Sequence, residues 1–212
     1  MKKIIFTFFA IVILNVLPLI FVPELIYNYK SIILIIVAAI LWLSQPAFSK
    51  EEMYAERSSD NFSIFFILIA SCLSVAFSII EWGYFTQNKS EINFVSIVGL
   101  IMLFGGSFIR VWSIYLLGRN FTATVKITKK HELISKGPYK IIRHPSYLGA
   151  MIAIVGCSLF LNNIISGFFS FAIMMGAYIN RIKIEEKTLE NYFGNSYKEY
   201  KRNTYRFLPY IW

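Results

Sequence analysis

Two histidines and two cysteines in 212 residues leave little from which to build a metal centre. Cys72 and Cys157 both stand inside apolar runs. A thiol there behaves as a small buried hydrophobe, so neither a disulfide framework nor a metal site follows. No G-x-G-x-x-G follows a strand-like run, and there is no Walker A sequence and no His-x-x-x-His pair. A Rossmann nucleotide site, a phosphate-cradling P-loop and a helical metal site are therefore unsupported. Acids are scarce, 12 against 21 basic residues, for a net charge of +9. That excess does not point to nucleic acid, because lysine and arginine flanking apolar runs orient membrane helices. Above all, the long runs lack charge. A soluble bundle needs a polar face on every helix, and these runs offer none.

What is present is apolar surface: 57% of the residues, with 20 Phe. It is concentrated in runs long enough to cross a bilayer. Candidate spans fall at 4–22, which contains Asn15 and Pro18, and at 31–48, 62–80 and 92–117. Lys2 and Lys3 precede the first, but no small-residue cleavage site follows it, so it is read as a retained span rather than a signal peptide. Gly99, Gly105 and Gly106 in the fourth span would allow close helix approach. Residues 147–179 are apolar for longer than a single span requires, with Asn162-Asn163 at the middle. Two short helices joined by a tight turn fit that stretch better than one helix.

The reading is an all-α, polytopic integral membrane protein with about six transmembrane helices, five being the alternative. Residues 1–91 carry about three N-terminal spans. Residues 92–212 form a core with the fourth span, a loop at 118–145, a hairpin at 146–180 and an amphipathic tail at 181–212 that returns along the membrane surface. Loop and tail each hold seven basic residues, and the loop only one acid, Glu132. Six spans put both on the side of the N-terminus, which the positive-inside rule makes cytoplasmic. A prokaryotic plasma membrane is the expected location, with no oligomer required.

Two polar segments break the pattern. One is Gly137-Pro138-Tyr139-Lys140-Ile141-Ile142-Arg143-His144-Pro145-Ser146-Tyr147-Leu148-Gly149. The other is Arg181-Ile182-Lys183-Ile184-Glu185-Glu186. Pro145 suits the first turn of a helix, which sets His144 beside unpaired backbone N–H groups, a place to hold an anion. Arg143, Tyr139 and Tyr147 add a fixed charge and an aromatic wall. Arg181 and Glu185 are four apart and share a helix face. A tight hairpin makes its two ends neighbours, so the segments are expected to form one cytosol-facing site. Arg110, a charge inside the fourth span, either faces that site or snorkels to the surface. Asn15 is expected to make an internal helix–helix hydrogen bond.

The order and spacing of these residues, with Leu189, Phe193-Gly194, Tyr197, Tyr200 and Pro209 after them, resemble the isoprenylcysteine carboxyl methyltransferase family. They are similar, more loosely, to the membrane phospholipid methyltransferases. Leu117-Gly118-Arg119-Asn120-Phe121 and His131-Glu132-Leu133-Ile134 fit the stretch leading into the motif. The likeness runs from about residue 92 to the C-terminus, and the first two spans carry no signature. It implies a membrane enzyme that uses S-adenosylmethionine and takes a lipophilic acceptor from the bilayer, most simply the carboxylate of a prenylated cysteine or a similar isoprenoid thiol compound. It implies cofactor contacts at Lys126, His131, Leu133, Tyr139, His144, Tyr147 and Glu185. Arg181, Glu185 and Arg143 are expected to act on the reactants, with no metal and no nucleic acid. Transfer to a carboxylate needs no base, whereas a phospholipid amine would need deprotonation, for which Glu185 is available. A nicotinamide-dependent membrane reductase and a non-enzymatic transporter or scaffold are the competing classes.

Overall fold

The computed structural model describes residues 2–45, 63–121 and 132–208. Among these residues seven α-helices follow in chain order: α1 Lys2–Ile11, α2 Tyr29–Ser44, α3 Ser63–Ile80, α4 Phe94–Leu117, α5 Pro145–Phe160, α6 Ile164–Phe193 and α7 Asn195–Arg202. Among the described residues there is no β-strand, only an isolated bridge between Ile142 and Tyr205. The chain is an all-helical membrane protein. Among the described residues three stretches are long and apolar enough to cross a bilayer: Ser63–Phe85, Phe94–Leu117 and Ile164–Phe193. Three shorter apolar helices, Lys3–Leu19, Tyr29–Ser44 and Pro145–Phe160, occupy the positions of the other expected spans. The first is irregular. α1 passes into a wide turn at Val12–Val16 and a tight one at Leu17–Leu19, where Pro18 has no N–H to continue the ladder. Asn15 is buried there but donates to Ile11 O, 3.4 Å away on its own helix, rather than to another helix as expected.

The hairpin turns where the sequence places it. Asn162 adopts φ +67°, a left-handed conformation that asparagine tolerates better than most residues. Both asparagine side chains then staple the turn to the rest of the molecule. Asn162 donates to Glu91 O (3.2 Å) and accepts from the Ser96 hydroxyl. Asn163 donates to Ser78 O (2.8 Å) and accepts from Thr86 Oγ1 (2.7 Å). Glu81 covers the N-terminus of α6 by accepting from Ser166 N at 3.1 Å, where an anion is favoured.

The closest helix pair is α4 against α5, and glycine explains it. Gly99 lies against the backbone of Leu159 and Phe160, and Gly106 against Gly149 and Ala153. From the other side, Gly149 and Gly156 face Gly106 and Gly99. Each helix thus offers two glycines seven residues apart, one antiparallel seam. Gly105, expected to take part, faces open space. A Cβ on Gly106 would fall 2.4 Å from Ala153 N and 2.6 Å from Gly149 O, where only backbone movement could relieve the clash. Gly106→Leu is therefore expected to destabilise the fold by about 1–3 kcal/mol. Gly105→Leu, with nothing within 4 Å of its Cβ, should not. Thermal unfolding of the two purified variants in detergent checks this, and equal melting temperatures would contradict the seam.

The second arm of the hairpin runs beyond the expected boundary at residue 180. α6 continues to Phe193 and ends where Gly194 turns the chain at φ +56°. Its 30 residues make a rod of about 45 Å against a hydrocarbon layer of about 30 Å, so its last three turns project past it. The tail does not simply run along the surface either. After α7 it folds back, with Arg143 N donating to Tyr205 O (2.8 Å) and Tyr205 N donating to Ile141 O (2.9 Å). Phe207 is fully buried against Tyr178, ring centroids 6.0 Å apart.

Candidate functional site

The start of α5 and the projecting end of α6 lie side by side, and the tail closes over them. Gly137 opens the first segment at φ +55°, and a Cβ there would strike Leu116 and Trp112. Only glycine meets both demands. The short turn Gly137–Lys140 buries Tyr139, whose hydroxyl donates to Ser113 O (3.4 Å) on α4. Tyr200 of α7 in turn donates to Tyr139 O (2.7 Å). Burial raises the phenols of Tyr139, Tyr197 and Tyr200 above the ordinary tyrosine range, so these rings carry neutral hydroxyls.

Pro145 begins α5, as expected, and His144 caps it. The imidazole is buried between two carboxylates: Nδ1 is 3.9 Å from Glu185 Oε1, and Nε2 is 3.4 Å from Glu186 Oε1. Among the described residues Nε2 has this ion-pair contact and no hydrogen bond. The His144 ring stacks on Tyr147 (centroids 5.7 Å, 14° between planes), and Tyr147 stacks on Tyr178 (4.9 Å, 26°).

Arg181 and Glu185 share a face of α6, and one hydroxyl joins them. Arg181 Nε donates to Tyr147 Oη (3.2 Å), which donates to Glu185 Oε2 (2.7 Å). Arg181 is 3% exposed and also donates to Ser63 Oγ (3.0 Å) on α3. The Glu185 carboxylate is 27% exposed and stands at the open side of the group.

Glu186, one residue on and so about 100° around the helix, faces the other way. Its buried carboxylate takes Arg143 Nε at 2.7 Å and Arg206 Nε at 3.0 Å. Arg143 Nη1 also donates to Lys201 O (3.1 Å) and to Thr204 O. The Arg143 guanidinium is thus turned into the tail, away from the Tyr147–Glu185 side. Leu133 stands half-buried on the extended stretch before Gly137 and offers apolar surface only. Lys126 and His131 lie outside the described residues.

Arg110 joins this group from α4. Nη1 donates to Ser146 Oγ and to Ser146 O (3.3 Å), at the first turn of α5. Nη2 donates to Gln45 Oε1 (2.7 Å) at the end of α2, and the guanidinium lies 5.6 Å from the Phe121 ring. Every one of these acceptors is neutral. Among the described residues no carboxylate pairs with Arg110, and its charge is felt at the Tyr139 phenol. Ser146 and Gln45 were not foreseen as its partners. An arginine inside an apolar run was the one available signal.

Residues 97–191 match the model of the isoprenylcysteine carboxyl methyltransferase (ICMT) family. A probable protein-S-isoprenylcysteine O-methyltransferase of Oryza sativa subsp. indica is 37% identical over 144 residues, 66% of this chain and 75% of the rice protein. The chain belongs to the isoprenylcysteine carboxyl methyltransferase family. Protein-S-isoprenylcysteine O-methyltransferase B of Arabidopsis thaliana is 34% identical over 145 residues, 68% of this chain and 73% of that protein. The structure of the eukaryotic intramembrane Ras methyltransferase ICMT, solved without a monobody, superposes with a TM-score of 0.66 at 23% identity. That likeness covers 99% of this chain and 75% of the other, so the shared fold includes the N-terminal helices that carry no sequence signature. Arg110, Tyr139, Arg143, His144, Tyr147, Arg181, Glu185 and Glu186 all fall within the stretch matched to the ICMT family. Family membership makes the chain a membrane methyltransferase, which must bring a methyl donor and a lipophilic acceptor together.

Proposed function

We propose that this ICMT-family chain methylates the carboxylate of a prenylated cysteine, or of a similar isoprenoid thiol compound, using S-adenosylmethionine. The observation that carries the reading is the chain of contacts from Arg181 through Tyr147 to Glu185, with His144 beside it and Arg110 bonded to Ser146, the residue before Tyr147. The donor set suits a cationic cofactor. The Glu185 carboxylate is partly exposed and among the described residues has one oxygen without a hydrogen bond, His144 Nδ1 stands 3.9 Å from that oxygen, and Tyr147 offers a ring face. Glu185, His144 and Tyr147 would hold S-adenosylmethionine, with Tyr139 behind them and Leu133, Lys126 and His131 supplied by the loop.

When bound, that cofactor supplies an electrophilic methyl group on a sulfonium. Transfer of that group to an acceptor carboxylate would call for no proton donor or acceptor among the side chains. The protein's task is therefore alignment and exclusion of water more than acid–base work. Arg181 fixes Tyr147, and Tyr147 fixes Glu185. Among the described residues Arg110 has no carboxylate partner, and it stands where a lipid-borne carboxylate would arrive between α2, α4 and α5. Arg143 acts as a positioning residue by fastening the tail. The described helices of the N-terminal part, α1 to α3, form the wall against which the described core helices pack, and both termini face the cytosol, where the donor is found. The concentration of basic residues in the 118–145 loop and the tail supports that orientation.

Calorimetric titration with S-adenosylmethionine tests the donor. The parent protein should bind it. Glu185→Gln, which keeps the shape and removes the charge, should bind about tenfold more weakly. Transfer of tritiated methyl to farnesylcysteine, phosphatidylethanolamine and a membrane lipid extract then identifies the acceptor. Absence of donor binding by the parent refutes the reading. Label in phosphatidylethanolamine alone moves the acceptor to an amine.

A further inference from the structure

A cleft of about 470 Å³ opens between the projecting end of α6 and α7, on the side of α6 that Glu186 faces. Its floor is neutralised: Glu186 is paired with Arg143 and Arg206, and Glu190 with Lys201 at 2.9 Å. Its rim is not. Lys183, Lys187 and Lys198 line it and are all exposed, and among the described residues none of them has an ion pair or hydrogen bond. Lys183 and Lys187 are four apart on one helix, an arrangement of like charges that weakens a helix unless an anion lies between them. Three unpaired ammonium groups around one concavity constitute a receptor for a multivalent anion.

The cleft's height identifies the anion's source. Lys183 follows Ile164, where α6 begins, by about 29 Å of helix rise, which matches a hydrocarbon layer of about 30 Å. Lys183 therefore marks the edge of that layer. Lys187, one turn further, lies at headgroup depth, and Tyr192 beyond it is 47% exposed, as an interfacial aromatic would be. We propose that this cleft holds the phosphate of an anionic phospholipid, whose acyl chains run back along the exposed apolar face of α6. Because Glu186, Lys201 and Arg206 form the wall of the cleft and also fasten the tail, the bound lipid clamps the α6–α7 corner. The proposal concerns lipid retention and stability. It stands whether or not the acceptor assigned above is correct.

Native mass spectrometry of the detergent-solubilised protein, titrated with phosphatidylglycerol, tests this, with thermal unfolding run in parallel. Each lysine at an anionic headgroup contributes about fivefold. The triple variant Lys183→Gln/Lys187→Gln/Lys198→Gln should therefore retain phosphatidylglycerol at least roughly tenfold more weakly than the parent. Phosphatidylglycerol should raise the melting temperature of the parent and leave that of the triple variant unmoved. Lys136→Gln/Lys140→Gln, exposed lysines away from the cleft, should behave as the parent. Equal retention by the parent and the triple variant would overturn the proposal, as would equal retention of phosphatidylcholine. Stabilisation by inorganic phosphate at the same concentration as the lipid would overturn the lipid assignment and leave a free-phosphate site.

Discussion

Replacing Arg110 with methionine is expected to lower kcat/KM for a prenylcysteine acceptor by about 10²-fold, the penalty that loss of acceptor alignment carries in a positioning-dominated reaction. The argument rests on what surrounds the guanidinium. It stands inside a membrane helix, seven residues short of the end of α4, where an uncompensated charge is expensive and tends to be functional. Ser146, Gln45 and the Phe121 ring hold it, and all are neutral. They fix its direction without cancelling its charge, and we assign its counter-ion to a reactant. A purely structural arginine would lose stability and donor affinity together. Arg110→Met should instead leave S-adenosylmethionine affinity within about twofold while KM rises. Binding of the uncharged methyl-ester product should also be unaffected, because that ligand has no carboxylate to lose. Arg110→Lys, which keeps the charge without the planar fork, should fall between. An unchanged KM for the acid acceptor, or an equal loss of ester binding, would remove Arg110 from the acceptor site.

The sequence made the site's frame legible and hid its interior. The hairpin could be foreseen because more than thirty apolar residues exceed one span, and because paired asparagines at their centre demand a turn. From it followed the meeting of His144 and Glu185, 3.9 Å apart in the structure. The end of α6 was misplaced because charge begins at Arg181. The charged residues there are good helix formers and nothing breaks the helix before Gly194, so it continues. The direction of Arg143 was hidden for a different reason. It depends on the tail folding back so that Tyr205 meets Ile142, a long-range pairing that no local pattern announces. Spacing from Arg181 singled out Glu185 and gave its neighbour Glu186 no role. Their difference comes from the helix rotation between them, which aims one at the Tyr147 hydroxyl and the other at two arginines.

That difference leads to the second large effect. Glu186→Ala is expected to destabilise the protein by about 3–5 kcal/mol, because it removes the anionic partner of a buried pair and leaves the cation behind. The Glu186 carboxylate is 5% exposed, and Arg143, at 7%, cannot turn to water without releasing Thr204 and Lys201. Arg206, at 28%, can reach solvent and adds less. His144, 3.4 Å away, would also lose its neighbour on that side and be free to tilt from its stack on Tyr147. Glu190→Ala is the matched control. It breaks the ion pair to Lys201, whose side chains are 33% and 31% exposed, and should change stability by no more than about 1 kcal/mol. Hydrogen exchange locates the damage. Protection should fall first at Arg143 and Tyr205, whose backbone amides make the bridge between the tail and the 137–145 segment, and the α4–α5 glycine seam should hold. If Glu186→Ala melts with the parent, or loses protection in the seam before the tail, Glu186 is not the fastening point. The tail would then owe its place to the burial of Phe207 on Tyr178.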